Sequence, residues 1–261
     1  MQSLIYYLER SETMKNKYEK TDSVCIRVED VGKSFGKKQV LYDISINVNY
    51  SQILGLLGPS GSGKTTLVKI IAGVDNATRG NVFMLGEKMP KLSAMGSIGY
   101  MAQSDALFGE LTAEENLRFF ASLYGLKGLK RKNQINEVME IVGLTDDLKK
   151  QVKKYSGGMK RRLSLAAALI HKPPVLILDE PTVGIDPVLR KSIWKELYNL
   201  KKEGSTIIVT THVMDEALNC DNLGMIRDGR IIAIGTPAEL LEATSSETLE
   251  DAFLYYGGKT E

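Results

Sequence analysis

Short apolar runs bounded by turn-forming residues recur along the chain and predict a series of strands. In the first part they are Val24–Val28, Ile44–Val48, Ile53–Leu57, Val82–Leu85 and Ile98–Met101; in the second, Val175–Leu178, Ile207–Thr210 and Leu223–Ile226. Several of the later runs are unbroken Val, Ile and Leu, as in strands buried on both faces. Arg227-Asp228-Gly229 lies between two such runs and signals a hairpin, with Arg230–Ile234 as the return strand. Elsewhere the period changes. Leu117, Phe120, Ala121 and Tyr124 recur at helical spacing behind a capping box of Thr112 and Glu115. Ile135, Val138, Met139 and Val142 repeat that spacing, with Gly143 as the stop. Asp186-Pro187 opens a helix that Gly204 closes, and Thr236-Pro237 with Glu239 opens another.

Residues 23–103 and 160–235 mix strands and helices, whereas 104–158 carries helical periodicity alone. The simplest architecture is an α/β core interrupted by an all-helical lobe. An N-terminal extension (1–22) precedes it and a C-terminal helical segment (236–261) follows. A chain of 261 residues can bury a substantial core, and 43% apolar with 25% charged residues is ordinary for a soluble globular protein.

The net charge of +2 selects no partner, but it is unevenly spread. From Lys127 to Arg162 there are eleven Lys/Arg against four Asp/Glu, a local balance of +7. Such a run serves as a solvated face, a membrane-facing surface or a nucleic-acid-facing one. The two cysteines, Cys25 and Cys220, have no paired-motif spacing, which suits a reducing compartment. No apolar stretch approaches the ~18–20 residues that span a bilayer. The N-terminal "MQSLIYYLERSETMKNKYEK" is charged too early for a signal peptide. It reads as a short amphipathic extension in which Met14 is an alternative start, and the chain is expected to be soluble and cytoplasmic.

"GPSGSGKTT", Gly58 to Thr66, fits G-x-x-x-x-G-K-[ST] between an apolar strand and the helical Leu67–Ala72. Glycines let backbone wrap phosphates without Cβ clashes, and the helix N-terminus adds partial positive charge. Lys64 is placed for the β/γ-phosphates and Thr65 for Mg²⁺. "VLILDEPT" ends a buried-looking strand in two carboxylates. Asp179 and Glu180 are adjacent and point apart, so one can hold Mg²⁺ while the other orients or deprotonates a water. His212 ends another strand, "TIIVTTH", where ligands of an α/β sheet gather. His171, beside Lys172-Pro173-Pro174, reads as an exposed loop residue. A second anion-seeking segment, Ser156-Gly157-Gly158, opens an apolar helical run a hundred residues after the first.

In this order the segments resemble the ATP-binding subunits of ABC transporters, over about Val24 to Gly257. Gly58–Thr66 matches Walker A, Gln103 the Q-loop, Tyr155–Met159 the signature and Val175–Glu180 Walker B. Gly184-Ile185-Asp186 matches the D-loop, His212 the switch histidine, and Phe35 of "SFGKK" the aromatic that stacks on adenine. The resemblance implies a P-loop NTPase core with an antiparallel β portion and the inserted helical lobe. It implies ATP held by Phe35, by Gly58, Pro59, Ser60, Gly61, Ser62, Gly63, Lys64, Thr65 and Thr66, and by Gln103. Mg²⁺ is then held by Thr65, Gln103 and Asp179, with Glu180, His212 and Lys64 catalytic.

The same resemblance implies that two copies, or this chain and a similar one, associate head to tail around two ATP. Ser156, Gly157, Gly158 and Asp186 of each then close over the other's nucleotide, which explains the second anion-seeking segment. The implied partners are separate transmembrane permease subunits at the cytoplasmic face of the membrane, met by the helical lobe, with no nucleic acid. "YSGGMKRRLSLAAAL", "PTVGIDP" and "SETLEDAFLYYGG" look most like the drug, polysaccharide and lipid exporter branch. Tyr155 and Met159 depart from the usual leucine and glutamine, and methionine cannot replace an amide's hydrogen bonds. A soluble ABC-type ATPase of assembly, translation or repair is the competing reading; a plain P-loop kinase leaves the signature and His212 unexplained.

Overall fold

The computed structural model describes residues 23–104 and 106–258; the N-terminal extension, with Met14, lies outside the described residues. The described residues open with a long antiparallel hairpin, β1 (Val24–Phe35) and β2 (Lys38–Asn49). β3 (Ile53–Leu57) leads into α1 (Lys64–Ile71), followed by β4 (Arg79–Met84), β5 (Glu87–Met89) and the short α2 (Leu92–Met95). β1, β2, β4 and β5 form one antiparallel sheet in the order β2-β1-β4-β5.

The second sheet collects β3 with β6 (Ile98–Met101), β7 (Val175–Asp179), β8 (Thr206–Thr211), β9 (Asn222–Arg227) and β10 (Arg230–Gly235). Its order is β10-β9-β3-β8-β7-β6, parallel throughout except for the edge hairpin β9–β10. Every residue of β3, β7 and β8 is buried, which is why their centres are apolar, while the polar Asp179, Thr210 and Thr211 gather at the C-terminal ends. Alternate residues of β3 serve two cores. Ile53 and Leu57 pack with the helices inserted after β6, whereas Leu54 and Leu56 pack with α1 and the antiparallel sheet. The parallel sheet is therefore the middle of three layers.

Between β6 and β7 lie α3 (Ala113–Leu123), α4 (Gly128–Ile141), two 3₁₀ turns and α5 (Gly157–Leu169). Among the described residues of this segment the only β pairing is a single bridge, Thr112 to Gln151. The capping box forms as the sequence predicts: Thr112 Oγ1 accepts from the Glu115 amide at 3.2 Å, and the Thr112 amide donates to Glu115 Oε2 at 2.8 Å. Ile135, Val138, Met139 and Val142 are buried, and Gly143 stops the run at φ 62°. The segment's core is continuous with the parallel sheet's. After β7 come α6 (Pro187–Lys202), α7 (Met214–Ala217), α8 (Pro237–Thr244) and α9 (Leu249–Gly257), and no helix of the described residues is long and apolar enough to cross a membrane.

His171 corrects the sequence reading. It is half-buried, with its ring stacked on Tyr124 at 3.5 Å between centroids and 3° between planes. Cys25 and Cys220 are free and buried, and burial pushes their thiols up to about 11 and about 12. Only thiolate reacts appreciably with alkylating reagents. Native protein near neutral pH should therefore resist maleimide until denaturant unfolds it. Rapid labelling of either cysteine in the folded chain would contradict this packing.

Candidate functional site

The parallel register brings the ends of four strands to one edge of the sheet. Leu57 of β3 faces Thr211 of β8, Asp179 of β7 faces Thr210, and Met101 of β6 faces Leu178. The residues immediately beyond these ends are Gly58, His212, Glu180 and Ala102, so the sequence-distant segments converge without any long loop.

Gly58–Gly63 wraps from β3 into α1. Gly63 sits at φ 104°, a conformation that side-chain-bearing residues rarely adopt, and a Cβ there would come 2.7 Å from Leu41. Lys64 is buried, and its ammonium donates to the carbonyls of Gly58 at 2.7 Å and Pro59 at 2.9 Å. Burial lowers its pKa, while the negative charges of Glu180 and Asp179 act in the opposite sense. The two carboxylates thus share an electrostatic neighbourhood with the loop's lysine.

The two carboxylates meet different surroundings. Asp179 is fully buried: Oδ1 accepts from the Thr210 hydroxyl at 2.5 Å, while Oδ2 is buried without a hydrogen-bond partner. A buried carboxylate oxygen with free lone pairs suits a hard divalent cation. Glu180 turns the other way, with φ 53° in the left-handed region that non-glycine residues seldom enter. Its amide donates to the Thr210 hydroxyl at 2.9 Å, and its Oε1 lies 3.1 Å from His212 Nδ1. With Glu180 ionised, that contact is a hydrogen bond when Nδ1 carries the proton. The result is a carboxylate aimed by a histidine beside a phosphate loop, the arrangement of a general base acting on water.

The remaining sequence-predicted residues are placed less uniformly. Gln103 is exposed just beyond β6, and Phe35 is 54% exposed at the end of β1 with Lys33 Nζ 4.8 Å from its ring centroid. Ser156 caps α5, its Oγ accepting from the Met159 amide at 3.2 Å, and leaves Gly157 exposed and Gly158 half-buried. Among the described residues, no hydrogen bond joins Ser156–Gly158 to the 58–66 loop. Asp186 caps α6 by accepting from Val188 and Leu189 amides at 3.1 and 3.0 Å. Tyr155 is buried and donates to the Asp147 carbonyl at 2.8 Å, while Met159 packs against the core. Both departures from the usual signature therefore face the protein's own interior.

Three features had no distinct signal in the sequence. Thr210 ties both carboxylate residues to β8, yet sits inside an ordinary apolar strand. Glu216, 3% exposed, accepts from Thr182 at 2.5 Å and Thr211 at 3.1 Å and lies 3.4 Å from Arg190, fastening the loop before α6 to the residue preceding His212. Arg161 is buried in the basic run and donates to the carbonyls of Ala102, Gln103, Asp179 and Glu180.

The chain is similar to known proteins over most of its length. Residues 41–183 match the family described as ABC transporter. The chain is 41% identical over 229 residues to a linearmycin resistance ATP-binding protein of Bacillus subtilis (strain 168), covering 86% of this chain and 73% of the relative. It is 39% identical over 233 residues to a Nod factor export ATP-binding protein of Rhizobium etli, covering 88% and 72%. It also aligns with a probable multidrug ABC transporter ATP-binding protein of Escherichia coli at 38% identity over 236 residues, 88% of this chain but only 41% of that longer relative. Solved structures that superpose on it include an ATP-binding subunit of an ABC transporter, with a TM-score of 0.83, 26% identity and coverage of 89% of this chain and 99% of the other. A dimeric ATP-binding cassette bound to ADP and Pi gives a TM-score of 0.76 at 26% identity over 81% and 98%. The phosphate loop, the paired carboxylates and the histidine belong to a chain of the ABC transporter family, one of its ATP-binding, ATP-hydrolysing subunits.

Proposed function

We propose that the chain is the motor of an exporter, hydrolysing ATP between two head-to-tail copies and driving substrate through separate membrane-spanning subunits. The observation that carries the hydrolytic half is the 3.1 Å approach of Glu180 to His212 beside the Gly58–Thr66 loop. In this reading Glu180 accepts a proton from the attacking water, His212 holds that carboxylate and contacts the γ-phosphate, and Lys64 offsets phosphate charge. Thr65, Gln103 and Asp179 would hold Mg²⁺, which supplies neutralisation of the β- and γ-phosphate oxygens. The buried, unpartnered Asp179 Oδ2 supports that assignment. Phe35, exposed beside the turn of the first hairpin, would take the adenine face.

Two further points support association of copies. Ser156–Gly158 makes no hydrogen bond to its own chain's phosphate loop among the described residues, so its anion-seeking start is available to a second nucleotide. A structural relative is described as dimeric with ADP and Pi bound. Export follows the relatives, whose names specify linearmycin resistance, multidrug transport and Nod factor export. Those names favour transport over a soluble assembly, translation or repair role.

The test is affinity purification of the tagged chain from detergent-solubilised membranes of its source, with identification of what accompanies it. A stoichiometric partner with several membrane-spanning helices is the expected result. Recovery only in the soluble fraction, or with ribosomes or nucleic acid, would overturn the transport reading and leave the ATPase.

A further inference from the structure

The basic cluster Lys160-Arg161-Arg162 lies one turn into α5, where a charge run suggests a solvated face. Its two arginines instead bind backbone carbonyls. Arg162 Nη1 donates to Val142 and Gly143 carbonyls, both at 3.0 Å, closing the C-terminus of α4. Arg161 reaches further. It is only 8% exposed, and its guanidinium spans the ends of two neighbouring strands. Nη1 donates to Ala102 at 2.9 Å and Gln103 at 2.8 Å, after β6; Nη2 donates to Glu180 at 2.7 Å and to Asp179, at the end of β7. Nε adds a second bond to the Glu180 carbonyl at 3.2 Å.

We infer that Arg161 is a positioning residue that holds Glu180 in its working conformation and ties that conformation to the signature helix. Glu180 occupies the left-handed region at φ 53°, a strained state for a non-glycine residue that persists only where its surroundings enforce it. Its backbone is gripped from both sides. The amide is held by Thr210 of β8, and the carbonyl is held by Arg161 of α5. With both ends of the residue fixed, the side chain is left directed at His212. The same guanidinium holds the Gln103 carbonyl, so a displacement of Ser156–Gly158 at the head of α5 is transmitted to Glu180 and to the loop after β6. Under the proposed two-copy mechanism, on which this inference rests, that links the phosphate contact made in one site to the base of the other. Only a planar fork with five donors can serve four carbonyls at once; a lysine ammonium is a single point with three.

The experiment compares wild type, Arg161→Gln, Arg161→Lys and Glu180→Gln for ATP turnover, binding of a fluorescent ATP analogue, and amide hydrogen exchange without nucleotide. For Arg161→Gln the expected result is kcat down by about tenfold to a hundredfold, as for a misplaced catalytic group, with KM and analogue affinity within about twofold. Exchange should rise together at Gln103–Ser104 and at Glu180–Gly184 while the amides of β3 and β8 keep their protection. Arg161→Lys should fall between wild type and Arg161→Gln in both readouts. A folded Arg161→Gln protein with wild-type kcat, or one whose exchange rises only within α5 or across the whole sheet, would overturn the inference. Normal turnover by Glu180→Gln would remove Glu180 as the base, a separate failure. The exchange at the two loops then still decides whether Arg161 holds them.

Discussion

Glu180→Gln is expected to keep ATP binding and to lower turnover by roughly 10²–10⁴-fold, the contribution of a positioned general base. The substitution changes almost no volume and leaves the backbone grip of Thr210 and Arg161 in place. What it removes is the capacity to take a proton. The amide also removes a negative charge that opposes the burial-lowered pKa of Lys64, and Asp179 remains to exert the same influence from its buried position. Nucleotide affinity should therefore stay close to wild type while single-turnover hydrolysis collapses. Equilibrium binding of labelled ATP beside phosphate release under single-turnover conditions separates the two. Near wild-type phosphate release would assign the base elsewhere, and lost ATP binding would make Glu180 part of the nucleotide cradle.

How much of this was legible in the chain depends on whether a residue's environment is written locally. Val175–Leu178 and Ile207–Thr210 were readable because strands buried on both faces require continuous apolar residues, and the structure covers both faces. The 58–66 loop was readable because phosphate wrapping dictates glycine spacing and a following helix. The apolar run predicts that β1 ends at Val28, yet it runs to Phe35: Glu29 and Asp30 interrupt the run at a register shift, and Val31 returns to the core. β5, three residues of Glu-Lys-Met on a sheet edge, has no periodicity to read. Arg161 and Glu216 were hidden for the opposite reason. Charged residues are expected outside, and these two are inside because carbonyls and hydroxyls from distant segments surround them. His171 likewise needed Tyr124, which no local pattern supplies.

The sequence marks Gly229 only as a hairpin glycine, and Gly229→Ala should be far more damaging than that role implies. Asp228 at φ 49° and Gly229 at φ 74° form the two-residue turn between β9 and β10, with Arg227 paired to Arg230. The turn rests on both the hairpin and the phosphate loop. The Gly229 amide donates to the Ser62 carbonyl at 3.0 Å, and the Tyr42 amide donates to the Gly229 carbonyl at 2.8 Å. A Cβ on Gly229 would stand 2.1 Å from the Val40 carbonyl oxygen, which is backbone and cannot swing aside. Left-handed strain plus this overlap predicts a loss of about 2–5 kcal/mol, read as the denaturant midpoint. Because relief requires the turn to leave β2 and carry the Ser62 peptide with it, ATP affinity should fall as well. Gly86→Ala is the matched control: Leu85 and Gly86 make the same kind of turn at φ 52° and 78°, between β4 and β5, but a Cβ on Gly86 meets nothing within 4 Å. It should cost only the strain, about 1–2 kcal/mol, with ATP affinity intact. Equal losses in the two variants, with unchanged ATP affinity in both, would show that the β9–β10 turn does not brace the phosphate loop.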